Sequence, residues 1–201
     1  MDILTLALAV LLGLAFLHSR EQKKRIALLS QHLGPYQIEA TMEKLTQGYL
    51  RALGETDAAR RDQIWQWLVT AESSIVSQFD RFTQDFAKVE ASATRVSTLP
   101  IALPGAHRWW PGAGFDLREA LRIHARGIAE AAANHANRSP RDKAYTLTAE
   151  LFLMQHTCHW FCRSRGIASA RLWRRHQTRH DQVLAAVDPL TRRAYGELTG
   201  L

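Results

Sequence analysis

Residues 57–89 decide the fold class, and they read DAARRDQIWQWLVTAESSIVSQFDRFTQDFAKV. Apolar side chains recur there at steps of three and four residues, from Ile64 to Val89, over about seven helical turns. Asp57 stands just ahead of this run and is suited to cap the first turn. A long amphipathic helix needs other helices to cover its apolar stripe. We therefore predict an all-α protein.

The rest of the body shows the same helical period, and no stretch alternates as a half-buried strand would. Proline, glycine and capping residues divide it into segments. Seven helices are expected: the first runs from the apolar N-terminal residues to Leu33, and the others cover residues 35–53, 57–89, 116–135, 139–165, 168–187 and a short stretch from Asp188 onward. We expect Gly166 to close the fifth of them. Short connections favour antiparallel neighbours, so residues 19–201 are predicted to form one domain, an antiparallel bundle of about five or six helices.

Residues 3–17 form an uncharged apolar run, ILTLALAVLLGLAFL, ahead of this body. As a helix the run is about 22 Å long, against a hydrocarbon core of about 30 Å. A signal peptide fits less well, because the only charge ahead of the run is Asp2 and no small-x-small cleavage site follows Leu17. A buried core helix is a second alternative. We favour a single-pass membrane anchor over residues 1–18, whose flanking bases can snorkel.

The positive charge of the chain is concentrated in two places. The formal net charge is +7, and residues 18–25 carry four bases against Glu21. These bases are Arg20, Lys23, Lys24 and Arg25. Residues 163–201 carry a further +5, while residues 26–162 are neutral. We expect the first cluster to contact anionic lipid; the second is a solvated face or a polyanion contact. We expect no nucleic-acid partner, because no DNA- or RNA-recognition motif accompanies the arginines.

The bases follow the apolar run directly, so the positive-inside rule places the C-terminal body in the cytoplasm, at the inner membrane if the source is bacterial. Cys158 and Cys162, the two cysteines of the chain, agree with that placement. They are four residues apart in an expected helix, where a disulfide would be strained. Two unpaired thiols are typical of a reducing compartment.

The segment 92–115 interrupts the helical pattern with the apolar, Pro- and Gly-rich sequence LPIALPGAHRWWPGAG. We predict a loop there. Its large apolar residues include Leu103, Trp109 and Trp110. They could lie on the bilayer, since tryptophan favours the interface, or take a protein partner. The alternative is that the loop folds back and plugs one end of the bundle.

A possible metal site involves Cys158, Cys162, His176 and His180. Both cysteines fall on the apolar side of the fifth expected helix, and both histidines fall on the apolar stripe of the sixth. A chain reversal near Gly166 would bring the two helices face to face, and two thiols with two imidazoles suit zinc. The alternative is plain core packing, because free cysteines are among the most buried residue types. His124 and His135 are also expected on an apolar stripe.

The sequence contains no catalytic signature such as a P-loop, a G-x-S-x-G elbow or an H-E-x-x-H motif. The leading hypothesis is a membrane-anchored helical protein that binds other proteins as an accessory or assembly subunit, without a cofactor. The second hypothesis is a zinc- or cofactor-binding bundle with a redox or sensing role. The long amphipathic third helix could also pair with a second copy of the chain.

Overall fold

The computed structural model describes residues 3–98 and 113–201. Within those residues the chain is a helical bundle of eight α-helices with one small two-stranded sheet. The elements are α1 (Ile3–Leu33), α2 (Ile38–Gly54), α3 (Ala58–Phe86), β1 (Arg95–Ser97), β2 (Gly114–Asp116), α4 (Leu117–Ala133), α5 (Pro140–Cys162), α6 (Arg165–His176), α7 (His180–Ala186) and α8 (Pro189–Thr199). The all-α prediction is confirmed at this level.

Helix α1 carries the apolar N-terminal run into the body without a break, as expected, and stops at Gly34, whose N–H donates to Ser30 O at 2.8 Å. Helix α2 begins three residues later than Pro35 suggested. The reason is a turn in which Tyr36 N donates to Leu33 O at 3.0 Å. Asp57 caps α3 as predicted and accepts from Arg60 N at 2.9 Å.

The apolar stripe of α3 is buried as predicted and forms much of the main core. Its fully covered members are Leu68, Ala71, Ile75, Phe79, Phe82 and Phe86. Phe86 reaches Phe161 of α5 with ring centroids 6.4 Å apart. Helix α5 lies at the centre of the bundle and is buried on nearly every side, from Ala144 to Cys162. A helix that is apolar all round is typical of such a central position.

The boundaries after Cys162 differ from our prediction. Helix α5 ends at Cys162 rather than near residue 165, and Gly166 lies in the first turn of α6. Ser164 caps α6 by accepting from Ile167 N at 3.3 Å. The single helix expected over 168–187 is two helices, because Gln177 adopts a left-handed conformation (φ 50°) and ends α6, its N–H donating to Trp173 O at 2.8 Å.

The prediction that 92–115 is entirely loop is wrong at both ends of the segment. β1 pairs antiparallel with β2, with Val96 opposite Phe115 and both side chains buried. Strands of three residues are too short to show alternation in the sequence. The sheet packs on the C-terminal part of α5, where Trp160 Nε1 donates to Ser97 O at 3.0 Å. Leu103, Trp109 and Trp110 lie outside the described residues.

Candidate functional site

The N-terminal half of α1 exposes apolar side chains over its whole circumference. The exposed fractions lie between 42% and 63% for Leu6, Leu8, Val10, Leu11, Leu12, Leu14, Phe16 and Leu17. At 100° per residue these positions cover every side of the helix. Considering the residues that the structure describes, no helix has both the length and the hydropathy that crossing a bilayer requires.

The polar half of α1 attaches to the C-terminal end of α5. Arg163 donates through Nη1 to Gln22 Oε1, and Arg25 donates to Phe161 O at 3.3 Å. Arg25 also pairs with Glu21 at 3.2 Å. Because residues 22 and 25 of α1 meet residues 163 and 161, the two helices run antiparallel, and the end of α5 lies beside the point where α1 leaves the body. We call this end of the molecule the proximal end.

The contact between α1 and α5 leaves three of the four bases predicted to contact lipid exposed and covers the fourth. Arg20, Lys23 and Lys24 are exposed, whereas Arg25 is turned against the body by its contacts with Phe161. The second basic cluster begins at the same place, because α6 starts two residues after Arg163. The two clusters, separated by more than 130 residues of neutral sequence, therefore meet at the proximal end.

Cys162 lies among arginines from both clusters. Burial raises the pKa of its thiol to about 11, although Arg171, Arg163 and Arg25 oppose that rise. Arg163 follows Cys162 directly and Arg25 donates to Phe161 O, so these two guanidinium groups lie at the end of α5. This concentration of positive charge favours an anion and disfavours a bound cation at the proximal end.

The structure does not gather the four residues of the hypothetical zinc site. Cys158 points toward Met154, with 3.9 Å between the sulfur atoms. His176 stacks on Phe152 at 3.8 Å, and its Nε2 lies 3.0 Å from Gln155 Oε1. His180 packs on His156, with 4.1 Å between the ring centroids. Across residues 3–98 and 113–201, no group of three or more His, Cys, Asp or Glu side chains is arranged to hold a metal ion.

Both cysteines line a groove of about 510 Å³ between α1, α2 and α5. Its walls are mainly apolar and include Leu29, Met42 and Met154. Burial raises the pKa of the Cys158 thiol above its ordinary range, as it does for Cys162. A thiol that stays protonated at neutral pH is a poor nucleophile. The two side chains therefore act as core packing in this arrangement.

A chain of buried polar groups in the core was not anticipated from the sequence. His124 Nε2 lies 2.9 Å from Thr157 Oγ1, which lies 2.9 Å from the Tyr195 hydroxyl. Burial lowers the pKa of His124 to about 3, so the ring is neutral. His124 is buried as its stripe predicted, whereas His135 is exposed and lies beyond the end of α4.

His156 is a second buried imidazole, next to the first one. Its Nε2 lies 3.0 Å from Ser169 Oγ of α6. Burial, with a further contribution from His180, lowers the pKa of His156 to about 2. A neutral imidazole bonded to a hydroxyl serves here to join α5 to α6. Nothing local in the sequence distinguishes His156 from an exposed helical histidine, because Ser169 belongs to the next helix.

Glu150 is a fully buried carboxylic acid at the junction of α4, α5 and α8. Its Oε1 accepts from Asp188 N at 2.9 Å, and Oε2 faces the backbone of Gly127 and the hydroxyl of Thr191. Burial raises the pKa of Glu150 to about 7, although Arg138 favours its charged form. The sequence gives no sign of this role, since the partners come from two other helices.

The opposite end of the bundle carries a hollow of about 550 Å³ between the end of α2 and the starts of α3 and α5. Leu53, Trp65, Pro140 and Tyr145 are among the residues that line it. Leu53 is 37% exposed and Tyr145 is 55% exposed. We call this hollow the distal surface. Pro140 lies 22 residues before Cys162 in α5, which is about 33 Å along the helix axis.

Comparison with models of known protein families, with curated protein sequences and with solved structures gave no match.

Proposed function

We propose that this protein is a membrane-anchored helical protein that acts by binding other proteins, as an accessory or assembly subunit without catalysis of its own. The observation that carries the proposal is the exposed apolar half of α1. Eight large apolar side chains there are 42–63% exposed on a chain whose remaining described part folds around a buried core. An exposed apolar surface of this size is typical of a membrane or protein contact.

A lipid environment explains the distribution of these side chains better than a protein groove does. An amphipathic helix that docks in a groove presents one apolar stripe and keeps a polar face. The apolar half of α1 has an exposed apolar side chain on every side, because Leu6, Leu14, Leu8 and Phe16 lie at about 0°, 80°, 200° and 280° around the helix axis. Hydrocarbon surrounds an inserted helix on all sides and so suits this pattern.

The charge distribution supports a cytoplasmic location for the body. Arg20, Lys23 and Lys24 follow the apolar half within seven residues and are exposed. Basic residues beside an apolar segment favour the cytoplasmic side. The two reduced cysteines are compatible with the same location.

Two parts of the chain are candidates for a partner contact in this proposal. The distal surface points away from the apolar half of α1 and exposes Leu53 and Tyr145. The second is the segment with Leu103, Trp109 and Trp110, for which both a partner and the bilayer remain candidates. The described residues at its ends, Thr98 and Ala113, are joined by a hydrogen bond of 3.1 Å beside the proximal end.

The membrane part of the proposal is tested by Leu11→Lys together with Leu12→Lys in the full chain. Each lysine at the centre of an inserted helix costs about 3 kcal/mol, so we expect the variant to move from the membrane fraction to the supernatant. The measurement is flotation and alkaline extraction of membranes from expressing cells. The matched control is Leu50→Lys with Leu190→Lys, two body positions that are each 72% exposed. Equal membrane association of all three chains would refute the proposal.

A further inference from the structure

We propose that the proximal end of the body binds the headgroups of anionic phospholipids through the start of α6, so that the membrane is contacted by the body and by α1. This inference rests on the proposed membrane anchoring by α1 and adds an orientation and a lipid class to it. The surface consists of Arg163, Arg165, Ile167 and Arg171. Arg163 contacts Gln22 of α1, and the other three residues follow it in the first two turns of α6.

The position of this surface follows from the contact between α1 and α5. Gln22, which accepts from Arg163, lies five residues after Leu17, the last residue of the apolar run. Five residues correspond to about 7.5 Å along the helix axis. The surface potential of a membrane extends about 8–10 Å at physiological salt. Arg163 and the start of α6 are therefore within its reach when the apolar half of α1 is inserted.

The chemistry of the surface suits phosphate groups above a hydrocarbon layer. Residues 163–175 contain five arginines and no acidic residue. Arg165 and Arg171 are exposed, and Arg165 lies over the Trp160 ring at 5.6 Å. Ile167, in the first turn of α6, is 42% exposed between them. A guanidinium group binds phosphate oxygens through paired N–H donors, while an exposed isoleucine gains from shallow burial beneath the headgroups.

A lipid surface fits this position better than a soluble polyanion does. Arg163 contacts Gln22 of α1, and Arg20, Lys23 and Lys24 lie within two residues of Gln22 along the same helix, after the segment that we place in the bilayer. The two groups of bases are therefore at the same level of α1 and surround the base of the inserted helix. A polyanion in solution would have to approach the same surface against the membrane.

The experiment places a reporter at the surface itself. The full chain with Ile167→Cys is labelled with the environment-sensitive fluorophore NBD and synthesised or reconstituted into vesicles. One set contains phosphatidylcholine alone, and the other also contains phosphatidylglycerol. The raised pKa of Cys162 and the burial of Cys158 keep the natural thiols slow to react. A label on Leu190→Cys is the control, because this position is far from the proximal end. Its neighbour Asp188 donates to Glu150, which lies twelve residues before Cys162 in α5, about 18 Å along the helix axis.

We expect the emission of the label at 167 to shift to the blue only in vesicles with phosphatidylglycerol, and the label at 190 to stay unchanged. Arg165→Gln with Arg171→Gln should abolish the shift and lower the preference for anionic over neutral vesicles about 25-fold at low salt, at about fivefold per base. Arg192→Gln with Arg193→Gln removes the same charge from α8 and should leave the preference unchanged.

The outcomes separate this inference from the proposed function. If the chain floats with both kinds of vesicle while the label at 167 never shifts, the inference is overturned and the anchoring by α1 stands. An equal loss of anionic preference in the α8 control would overturn it too, because the effect would then come from net charge. If the chain floats with neither kind of vesicle, the proposed function itself fails, and the orientation fails with it.

Discussion

Glu150 shows how a single buried side chain ties the last helix to the bundle. Its carboxyl group holds the N–H of Asp188, the residue that caps α8. The other carboxyl oxygen faces Gly127, where a Cβ atom would come closer than 3.0 Å to it. Gly127 therefore provides the space that the acid needs. Burial of this acid raises its pKa to about 7, so the protonated form predominates below neutral pH.

We expect Glu150→Gln to remove a pH dependence of stability. The pKa of Glu150 rises from 4.5 to about 7 on folding, so the folded chain holds this proton over a range where the unfolded chain has lost it. The contribution of Glu150 to the free energy of unfolding is fully present below pH 4.5, and it is lost as the pH rises through 7. Relative to the variant, the wild type should lose about 3 kcal/mol between pH 4 and pH 8.

The measurement is urea unfolding of the full chain in non-ionic detergent, followed by circular dichroism across this pH range. His124 and His156, whose lowered pKa values act in the opposite direction, are common to both chains. Their effect cancels when the two curves are subtracted. A difference that does not change with pH would contradict the assigned ionisation of Glu150.

Helix caps could be read from single residues, whereas the buried polar groups could not. Asp57, Asp116, Ser139 and Asp188 each accept from a backbone N–H two or three residues later. Such a bond is local, so its signature is contained in the sequence beside it. Glu150 bonds a residue 38 positions away. Which residue becomes its partner depends on how the helices pack, and a short stretch of sequence carries no information about that packing.

At the scale of elements, a hydrogen bond and a salt bridge to one buried carboxylate connect α2, α3 and α5. Glu72 of α3 is 5% exposed and accepts from the Tyr49 hydroxyl of α2 at 2.6 Å. Lys143 of α5 pairs with the other carboxyl oxygen. A buried carboxylate is stable only when its charge and its lone pairs have partners. The three helices are therefore held in register by one acid.

We expect Lys143→Met to destabilise the chain by about 2 kcal/mol, because Glu72 keeps its charge and loses the cation. Adding Glu72→Gln to that variant should recover most of the loss, since the neutral amide still accepts from Tyr49. The measurement is a double-mutant cycle in urea. Lys88→Met is the control: its partner Asp85 is exposed, so no change should be detected. If the double variant is no more stable than Lys143→Met alone, the assigned role of the Glu72 charge is contradicted.

Two of the element boundaries that failed have no clear signal in the neighbouring sequence. The apolar period of α3 was readable because six buried positions repeat along one helix. The division of 168–187 was not readable, because Gln177 takes a left-handed conformation that its residue type does not favour. Similarly, β1 and β2 are held by pairing between Val96 and Phe115, nineteen residues apart. Each three-residue strand is too weak a signal alone.

At the scale of the whole molecule, the bundle has two different ends. The proximal end combines the exit of α1 with Arg163, which follows α5, and with the first arginine of α6. The distal surface lies about 33 Å away along α5 and presents Leu53 and Tyr145. The sequence identified the apolar run and both basic clusters separately. Their meeting could not be predicted, because it depends on the antiparallel contact between α1 and α5.

This polarity leads to a prediction about partners. If α1 is inserted as proposed, the distal surface faces away from the bilayer and is open to a protein partner, and exposed aromatic side chains are frequent anchors in such contacts. We expect Leu53→Glu with Tyr145→Glu to abolish crosslinking of the full chain to partner proteins in native membranes, because two added carboxylates would have to be desolvated in an apolar contact. Membrane association should stay at the wild-type level, since α1 and the proximal end are unchanged.

Leu190→Glu, at an apolar position 72% exposed on α8, is the matched control and should retain the same crosslinked proteins. If the distal variant also retains them, the partner binds elsewhere, and the segment with Leu103, Trp109 and Trp110 becomes the surface to substitute next.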